Sequence, residues 1–442
     1  MTNVGTMRGG GAAALLTGAR AVPHRGAAHD TTAIHPVVRW AFYAFVFSLP
    51  FEYPDRSFAV EITTLTGCVF LLATIVQPRA CFGERPWAFW WFVAYLWVVG
   101  VTFTLTGGEN ADAVGKSALR FLQQVLILLA AYNVMRRERI RTTTLLLLVA
   151  ACLVLALLQL SGAFGAPMAE VEDAANQLHR ITVLGQNPNR TANMLSLGVL
   201  ALIGLHYGRQ TSVRRARFLM WPVVTVLVLA ILQSGSRGAI VALGAALCTF
   251  AAGGQTLRAR VRNALMTLFA LVTFVWVSYE SPLLRERFDK AETGNLAGRE
   301  EIFPAAFEMF QERPLLGWGP MLNKHELATR LQPPPPDGVR DTHNLVLELL
   351  TATGLLGSVP FFVGLGLCVW SAWHARRGSQ GILPLAMMAA LLAANMSGNY
   401  EVYLPHCLVL AYALASRRIP AAPGRAAIGR TEWRSWDAAR ST

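Results

Sequence analysis

The chain has 442 residues, of which 54% are hydrophobic and 15% are charged, and its mean hydropathy is +0.40. This composition excludes an ordinary soluble globular protein. The net charge of +13 does not indicate nucleic-acid binding, because the arginines form no single patch with interleaved aromatic residues. Apolar runs of roughly 20 residues recur along the chain, and such runs are helical in a membrane because lipid offers no hydrogen-bond partners. The sequence therefore predicts an all-α integral membrane protein.

Five segments can be distinguished along the chain. Residues 1–36 are rich in Gly and Ala and are expected to form a cytoplasmic tail. Residues 37–280 contain candidate spans 1 to 9, residues 281–343 form a polar loop, residues 344–416 contain spans 10 to 12, and residues 417–442 form a basic tail. The candidate spans, about twelve in all, lie at 37–50, 58–76, 87–105, 118–135, 142–161, 191–207, 218–232, 238–252, 264–279, 345–373 with a break near 354–357, 382–396 and 402–415.

The loops between the spans alternate in charge. Arginine-rich loops, such as the one at residues 136–141, alternate with acidic or mixed loops, such as the one that contains Glu109 and Asp112. Because Lys and Arg are enriched in cytoplasmic loops, the arginine-rich loops and both termini are predicted to be cytoplasmic. The acidic loops and the polar loop at residues 281–343 are predicted to face outward.

The polar loop is balanced in charge and is expected to be partly helical. Residues 299–313 have helical spacing, with Ile302, Phe303, Ala306 and Phe310 on one stripe. This stripe is expected to pack on the membrane domain or on its lipid. A turn-rich connector at residues 314–320 and a polyproline piece at residues 333–336 follow.

His343 lies where the polar loop returns to an apolar run. Residues 341–350 read Asp-Thr-His-Asn-Leu-Val-Leu-Glu-Leu-Leu, so the histidine is expected near a membrane surface. Asp341 is expected to cap the following helix, and Asn344 and Glu348 are expected to hydrogen-bond each other on one helix face. A histidine held at a helix entrance suits proton transfer. The alternative is an interfacial polar residue with no chemical role.

Three arginines lie on the predicted outer side, although the arginine-rich loops are predicted to be cytoplasmic. Arg190 follows Gly-Gln-Asn-Pro-Asn, Arg237 lies in Ser-Gly-Ser-Arg-Gly, and Arg299 follows a glycine, all at the outer ends of spans. Glycine allows close approach of the backbone to a ligand, helix N-termini bind anions, and guanidinium groups match phosphate oxygens. Together the arginines predict a diphosphate-binding site, with Asn187 and Ser236 of the same motifs in supporting roles.

Each arginine also has a structural explanation. The long side chains of Arg190 and Arg237 can extend to the membrane surface, and Arg299 can form a salt bridge with Glu300 or Glu301. Lys116 and Arg120 lie on the same predicted side and are weaker candidates for the site. The convergence of several outer cations with one histidine is what favours a ligand site over these explanations.

Several short motifs occur in order in the second half of the chain. They are Ser-Arg-Gly at 236–238, Gly-Arg at 298–299, Pro-Leu-Leu-Gly-Trp-Gly at 314–319, His-Asn-Leu at 343–345 followed by Glu348, and Thr-Gly-Leu-Leu-Gly at 353–357. In order and sidedness they resemble the O-antigen ligase and polymerase superfamily. The resemblance covers about residues 185–360, whereas the earlier spans resemble the family only in hydropathy.

The resemblance implies a glycosyltransferase of GT-C-like architecture embedded in a bacterial inner membrane. The ligases of this family transfer O-antigen polysaccharide from undecaprenyl diphosphate to a sugar hydroxyl of the lipid A-core, on the periplasmic side, without metal and with inversion of the anomeric centre. For this chain the resemblance implies His343 as general base and Arg190, Arg237 and Arg299 as diphosphate ligands. The implied partners are the two lipid-linked glycans and membrane lipid, and nucleic acid is not among them.

No cofactor is predicted. The outer loops contain neither Asp-x-Asp nor His-x-x-His, and the six cysteines show neither paired nor Cys-x-x-Cys spacing. The arginines are therefore expected to supply the positive charge that a metal ion supplies in many transferases. Neither a metal site nor a disulfide is expected.

Other functions stay open at this point. An O-antigen polymerase or a protein O-oligosaccharyltransferase of the same superfamily would show the same Arg and His pattern. A lipid-linked oligosaccharide transporter would need charges along the whole crossing path, and such folds often contain internal repeats, whereas the unusual cations here cluster at outer ends. The ligase is favoured because the major outer loop lies directly before His343 and no further soluble domain is evident.

Overall fold

A computed structural model of the protein describes residues 33–51, 61–105, 111–163, 165–167, 181–184, 186–207, 217–253, 256–281, 284–285, 289, 298–336, 338–398 and 403–417. The predicted N-terminal tail up to residue 32, the basic tail from residue 418 and acidic loop residues such as Glu109 lie outside the described residues. The division of the chain into five segments stays a prediction.

Helices account for nearly all of the described structure. In chain order they are α1 Pro36–Ser48, α2 Ile62–Thr74, α3 Pro78–Phe82, α4 Trp87–Leu105, α5 Ala111–Met135, α6 Glu138–Leu160, α7 Pro188–Tyr207, α8 Arg217–Gln233, α9 Arg237–Ala251, α10 Leu257–Glu280, α11 Arg299–Glu312, α12 Leu322–Arg330, α13 Leu345–Ala375, α14 Leu383–Asn395 and α15 Leu404–Ser416. A small antiparallel hairpin, β1 Gly165–Pro167 and β2 Ile181–Val183, pairs Ala166 with Thr182. This hairpin was not predicted, because strands of 3 residues are too short for a recognisable alternation.

The predicted spans coincide with helices throughout the described chain. Each predicted apolar run overlaps one of the helices α1, α2, α4 to α10 or α13 to α15. Among the described residues, 5 helices are long and apolar enough to cross a membrane: Trp87–Leu105, Val114–Met135, Glu138–Leu160, Leu257–Glu280 and Leu345–Ala375. The protein is therefore a multi-pass helical membrane protein. The number of crossings stays a prediction, because other apolar helices are shorter than the roughly 20 residues that a crossing needs.

Aromatic side chains form the centre of the main core. The ring of Tyr95 in α4 meets Phe121 of α5 and Phe361 of α13 edge to face, with ring centroids 5.0 and 5.2 Å apart. Such contacts contribute about 0.5–1.5 kcal/mol beyond the area they bury. Because lipid tails are as apolar as leucine, close packing holds membrane helices together more than exclusion of water does. This aromatic group therefore fixes α13 against α4 and α5.

Helix α13 is interrupted at Gly354, as the sequence predicts. Gly354 has φ 58° and ψ −159°, a conformation that glycine adopts without strain. The connector at residues 314–319 fills the break through backbone hydrogen bonds of 2.8 to 3.1 Å, in which Trp318 donates to Thr351, Gly319 to Ala352, Leu355 to Pro314 and Leu356 to Leu315. The connector thus replaces helical hydrogen bonds that the break removes.

The described part of the polar loop is partly helical, as predicted, and α11 packs on both α12 and α13. Helix α11 buries the face that contains Ala306 and Met309 against α12, and Leu347 of α13 touches the same cluster. Leu347 belongs to the apolar helix α13, so the expected contact of this face with the membrane domain is present, whereas contact with lipid stays a prediction. Arg330 of α12 binds both carboxylate oxygens of Glu312 at 2.7 Å, which fixes the end of α11. The two helices form a packed layer over the start of α13.

Candidate functional site

The start of α13 is capped by Asn344. Its side-chain oxygen accepts hydrogen bonds from the N–H groups of Val346 at 2.9 Å and Leu347 at 3.2 Å, and its amide donates to the carbonyl of Met396 at 3.3 Å. The prediction that Asp341 caps this helix is wrong, because the residue directly before the first helical residue reaches these N–H groups better. Asn344 therefore fixes the start of α13 and ties it to the end of α14.

Glu348 lies one turn into α13 and is only 3% exposed. Its carboxylate accepts hydrogen bonds from the amide of Asn323 at 3.2 Å and from the hydroxyl of Thr342 at 3.0 Å, and the ammonium group of Lys324 lies 3.8 Å away. Within the described contacts, the expected hydrogen bond between the side chains of Asn344 and Glu348 is not formed, because each has partners elsewhere. The carboxylate instead joins α12 to the turn before α13.

His343 occupies the turn directly before the cap of α13 and is half-buried. Its φ is 51°, a left-handed conformation that is uncommon outside glycine and that occurs at functional sites. The neighbouring Asp341 forms an ion pair with Lys324 at 2.5 Å, and Thr342 binds Glu348. Contacts from α12 and α13 therefore hold the residues directly before the imidazole.

The surroundings of His343 favour the neutral imidazole. Burial has the largest effect and lowers its pKa. The carboxylate of Asp341 acts to raise the pKa, and three cations lower it further, namely Arg299, Arg340 and Lys324. As a result the pKa of His343 is lowered from 6.5 to about 4. A neutral imidazole has one ring nitrogen that accepts a hydrogen bond or a proton, so His343 can act as a base at neutral pH.

Arg299 begins α11 directly after Gly298, which has a φ of 78°. The guanidinium group of Arg299 donates to the carbonyl of Ser397 at 2.9 Å. Arg340 lies alongside, since a Cβ atom at Gly298 would come within 3.4 Å of its guanidinium group. The residue before Ser397 binds the cap of α13, so one short segment after α14 contacts both Arg299 and the entrance of α13.

Arg190 lies in the first turn of α7. Its guanidinium carbon is 5.6 Å from the ring centre of Tyr403, and it lies within electrostatic range of Asp341. Asn187 precedes this helix, and its side-chain oxygen accepts a hydrogen bond from the backbone N–H of Asn189 at 2.9 Å. Asn187 thus shapes the start of α7, and Arg190 extends from that start towards the residues around His343.

Arg237 is the first residue of α9. Ser236 caps this helix, with its buried hydroxyl accepting a hydrogen bond from the backbone of the first turn at 3.3 Å. Arg237 lies within electrostatic range of Arg299. The next residue, Gly238, packs so closely on Ser397 that a Cβ atom there would collide with the serine hydroxyl. Arg237 and Arg299 therefore adjoin the same short segment after α14.

Asp341, His343 and the arginines Arg190, Arg237 and Arg299 form a charged cluster. The two weaker candidates, Lys116 and Arg120, are separate from this cluster. Lys116 forms an exposed ion pair with Asp112, one turn earlier in α5, at 2.5 Å, and Arg120 is exposed on the same helix. In the described part of the chain, no contact joins Lys116 or Arg120 to His343 or to the other arginines. Exposed pairs of this kind contribute little to stability, and the two residues remain predictions without a place in the cluster.

Three members of the cluster escaped the sequence analysis: Lys324, Arg340 and Tyr403. Lys324 and Arg340 belong to the balanced polar loop, where spacing does not separate them from solvated charges. They meet through a backbone hydrogen bond from Arg340 to the carbonyl of Lys324 at 3.1 Å. The sequence feature that could have identified Arg340 is its position shortly before His343. Tyr403 has no local signal, since its role depends on contact with α7.

An apolar cavity of about 40 Å³ adjoins the cluster. Its lining includes Leu345, directly after the cap of α13, and Tyr403, which contacts Arg190. Most of the lining is aromatic or aliphatic, and the polar side chains in it are Gln124, Asn395 and His406. The charged cluster thus borders an apolar space between the membrane helices.

The fold and this cluster define a class of protein: a multi-pass helical membrane protein with a cation-rich site at the ends of several helices, next to the packed polar loop. Among the residues that the structure describes, no three His, Cys, Asp or Glu side chains are grouped to hold a metal ion. That the arginines, and not a metal ion, supply the positive charge of the site stays a prediction.

A family model described as O-antigen ligase matches residues 222–362. The match spans α9, the outer loop and the first part of α13, and so includes Arg237, Arg299 and His343; Arg190 and Tyr403 lie outside it. It confirms, for this part of the chain, the resemblance to the O-antigen ligase and polymerase superfamily. No curated protein matches the chain.

Proposed function

We propose that this protein is an inner-membrane glycosyltransferase that transfers O-antigen polysaccharide from undecaprenyl diphosphate to the lipid A-core at the periplasmic face. The observation that carries the proposal is the convergence of one neutral imidazole with several guanidinium groups. His343 lies in the electrostatic field of Arg299, which is close to Arg237, while Arg190 is close to the neighbouring Asp341. A GT-C-like architecture with about twelve crossings and cytoplasmic termini belongs to the same proposal.

His343 is the proposed general base. A sugar hydroxyl is a poor nucleophile at neutral pH and needs a group that removes its proton. The imidazole accepts this proton as the acceptor oxygen bonds to the anomeric carbon of the donor. The bond from that carbon to the diphosphate oxygen breaks, and the electron pair leaves with the lipid diphosphate. Attack from the face opposite the leaving group inverts the anomeric centre.

Arg190, Arg237 and Arg299 are the proposed ligands of the leaving diphosphate. Negative charge develops on this group as the bond breaks, and fixed guanidinium groups stabilise it. Loss of one comparable donor raises a reaction barrier by about 2.7–4 kcal/mol. Replacing any one of the three arginines by Ala is therefore expected to lower kcat/KM by about 10²–10³.

The control for the arginine variants is Arg139→Ala, since Arg139 is exposed in the first turn of α6 and has no contact with the cluster in the described chain. Its turnover is expected to equal that of the unmodified protein. A chelator is expected to leave transfer unchanged, and a strict requirement for added divalent ion would contradict the account in which arginines alone stabilise the leaving group.

The choice of acceptor decides between members of the superfamily. Purified protein in proteoliposomes is supplied with an undecaprenyl-diphosphate glycan and two acceptors, rough lipopolysaccharide and a second lipid-linked repeat unit. Glycan on the lipopolysaccharide supports the ligase, whereas a lengthened lipid-linked glycan makes the protein a polymerase. An acceptor protein in a third reaction tests O-oligosaccharyl transfer. Movement of the donor across the bilayer without any transfer would favour a transporter instead.

A further inference from the structure

We infer that Tyr403 is a positioning residue that holds the guanidinium group of Arg190 within the anion-binding cluster. This inference rests on the proposed function, because it assigns a supporting side chain to diphosphate binding. The guanidinium carbon of Arg190 lies 5.6 Å from the ring centre of Tyr403, within the distance at which an aromatic ring attracts a cation. Arg190 is exposed, whereas Tyr403 is only 4% exposed, so the ring is the better-fixed partner.

The ring of Tyr403 is fixed by contacts with three helices. It meets the ring of His406 in α15 edge to face, with centroids 5.1 Å apart and an interplanar angle of 84°. It also packs with Ala242 of α9 and Ala394 of α14 in a small buried cluster. Helix α9 begins with the second proposed arginine, and α14 leads to the carbonyl that binds the third. Tyr403 therefore connects the helix of Arg190 to the elements that carry the other two.

Stacking on Tyr403 is compatible with phosphate binding by Arg190. An aromatic ring engages the face of a guanidinium group, whereas phosphate oxygens bind its N–H edge. An arginine side chain has many rotamers, and ordering it when a ligand binds costs entropy. A ring that restricts Arg190 before the ligand arrives reduces this cost. Tyr403 also lines the apolar cavity, and limited water on that side strengthens the attraction between ring and cation.

The test compares Tyr403→Phe, which keeps the ring, with Tyr403→Leu, which removes it. Both changes are made in the full-length protein and again in an Arg190→Ala background, and binding of undecaprenyl diphosphate in detergent is measured by calorimetry. Tyr403→Leu is expected to weaken binding about tenfold, and Tyr403→Phe less than about twofold. In the Arg190→Ala background, Tyr403→Leu is expected to cause no further loss, because the contact is already absent.

Tyr412→Leu is the matched control. Tyr412 is a tyrosine of α15, the helix that Tyr403 directly precedes; it is 2% exposed, and its hydroxyl donates a hydrogen bond to Gln380 at 2.8 Å. Its replacement is expected to lower the unfolding temperature without changing ligand binding. Thermal unfolding of every variant is recorded, and Tyr403→Met, whose flexible side chain adapts better to an irregular space, replaces Tyr403→Leu if that variant does not fold.

Equal losses in the Phe and Leu variants, or a loss that persists in the Arg190→Ala background, would overturn the positioning role. If Arg190→Ala weakens binding and Tyr403→Leu does not, the positioning role fails while the proposed function stands. If the unmodified protein does not bind undecaprenyl diphosphate, or if Arg190→Ala binds it equally well, the proposed role of Arg190 fails and the inference on Tyr403 fails with it.

Discussion

The imidazole of His343 lies among more positive than negative groups, with Arg299, Arg340 and Lys324 opposed by Asp341. Burial lowers its pKa most, and these cations add to the effect. A bound diphosphate would offset the positive charge, so we expect the pKa of His343 to be about 4 in the ligand-free protein and higher with donor bound. A base with a higher pKa accepts a proton more readily. Donor binding would therefore strengthen the base when the acceptor arrives.

The pH dependence of kcat/KM for the donor tests the pKa of His343 in the ligand-free protein. The neutral imidazole is the active form, so activity is expected to fall as the pH decreases through about 4 rather than through 6.5. Lys324→Met removes one cation that lowers this pKa, and is expected to move the acid limb to higher pH. A wild-type acid limb near pH 6.5, unchanged by Lys324→Met, would contradict the assignment.

Replacement of His343 tests its role as the base. His343→Ala is expected to lower turnover by about 10²–10⁴, the range for removal of a general base, with little change in the unfolding temperature. His374 is the control, because it is exposed near the far end of the same helix, and His374→Ala is expected to retain activity. Wild-type turnover in the His343 variant would remove this residue as the base.

At the scale of elements, the outer loop and α13 depend on each other. The connector at residues 314–319 pairs with the break at Gly354, and α12 reaches the start of the same helix through the ion pair of Lys324 with Asp341. The packed layer of α11 and α12 is thus attached to α13 at two points. The position of His343 is therefore set by the helices of the polar loop as well as by α13, which begins directly after it.

Gly354→Ala tests this attachment. A Cβ atom at Gly354 would collide with the backbone of Leu315, and φ there is +58°, a conformation that costs other residues of order 1–3 kcal/mol. The variant is expected to unfold at lower temperature and to lose transfer activity. Gly366→Ala in the same helix is the control, since nothing lies within 4 Å of its Cβ position. Equal unfolding temperatures for the two variants would show that the connector does not depend on the break.

At the scale of the whole molecule, the helices differ in the fraction of their residues that is buried. In the most apolar window of α10 only 17% of residues are buried, whereas in that of α5 67% are. Exposed Phe269 and Trp276 on α10 suit contact with lipid, because lipid is the solvent for apolar side chains there. Helix α5 is central and α10 peripheral, as a multi-pass membrane protein requires.

Cysteine labelling tests the proposed sidedness. Single cysteines at His325 of the polar loop and at Arg139 in the first turn of α6 are introduced into a protein without the exposed Cys68 and Cys248. In intact spheroplasts, a membrane-impermeant maleimide is expected to label position 325 alone, and position 139 only after the membrane is opened. Labelling of position 325 only after the membrane is opened would refute the topology and place the imidazole on the wrong face for a periplasmic reaction.

Hydropathy alone placed the helices of the apolar runs, whereas the short helices α3 and α12 were not predicted. A helix in lipid must satisfy its own backbone hydrogen bonds, so a long apolar run leaves few alternatives; α4 begins at Trp87 and ends at Leu105, the predicted bounds. The sequence also predicted a break near residues 354–357, and the helix is interrupted at Gly354. The residue types at His343 and Arg299 indicated proton transfer and anion binding before any contact was known.

Only the tertiary structure decided which side chains meet. Asn344, not Asp341, caps α13; Glu348 binds Asn323 of α12; and Tyr403 contacts Arg190 from a distant helix. Each of these contacts joins residues that periodicity and hydropathy treat independently, because those patterns report how a segment meets lipid or water. The partner that a polar side chain finds depends on how whole helices pack, and that packing is settled by the shapes of many side chains together.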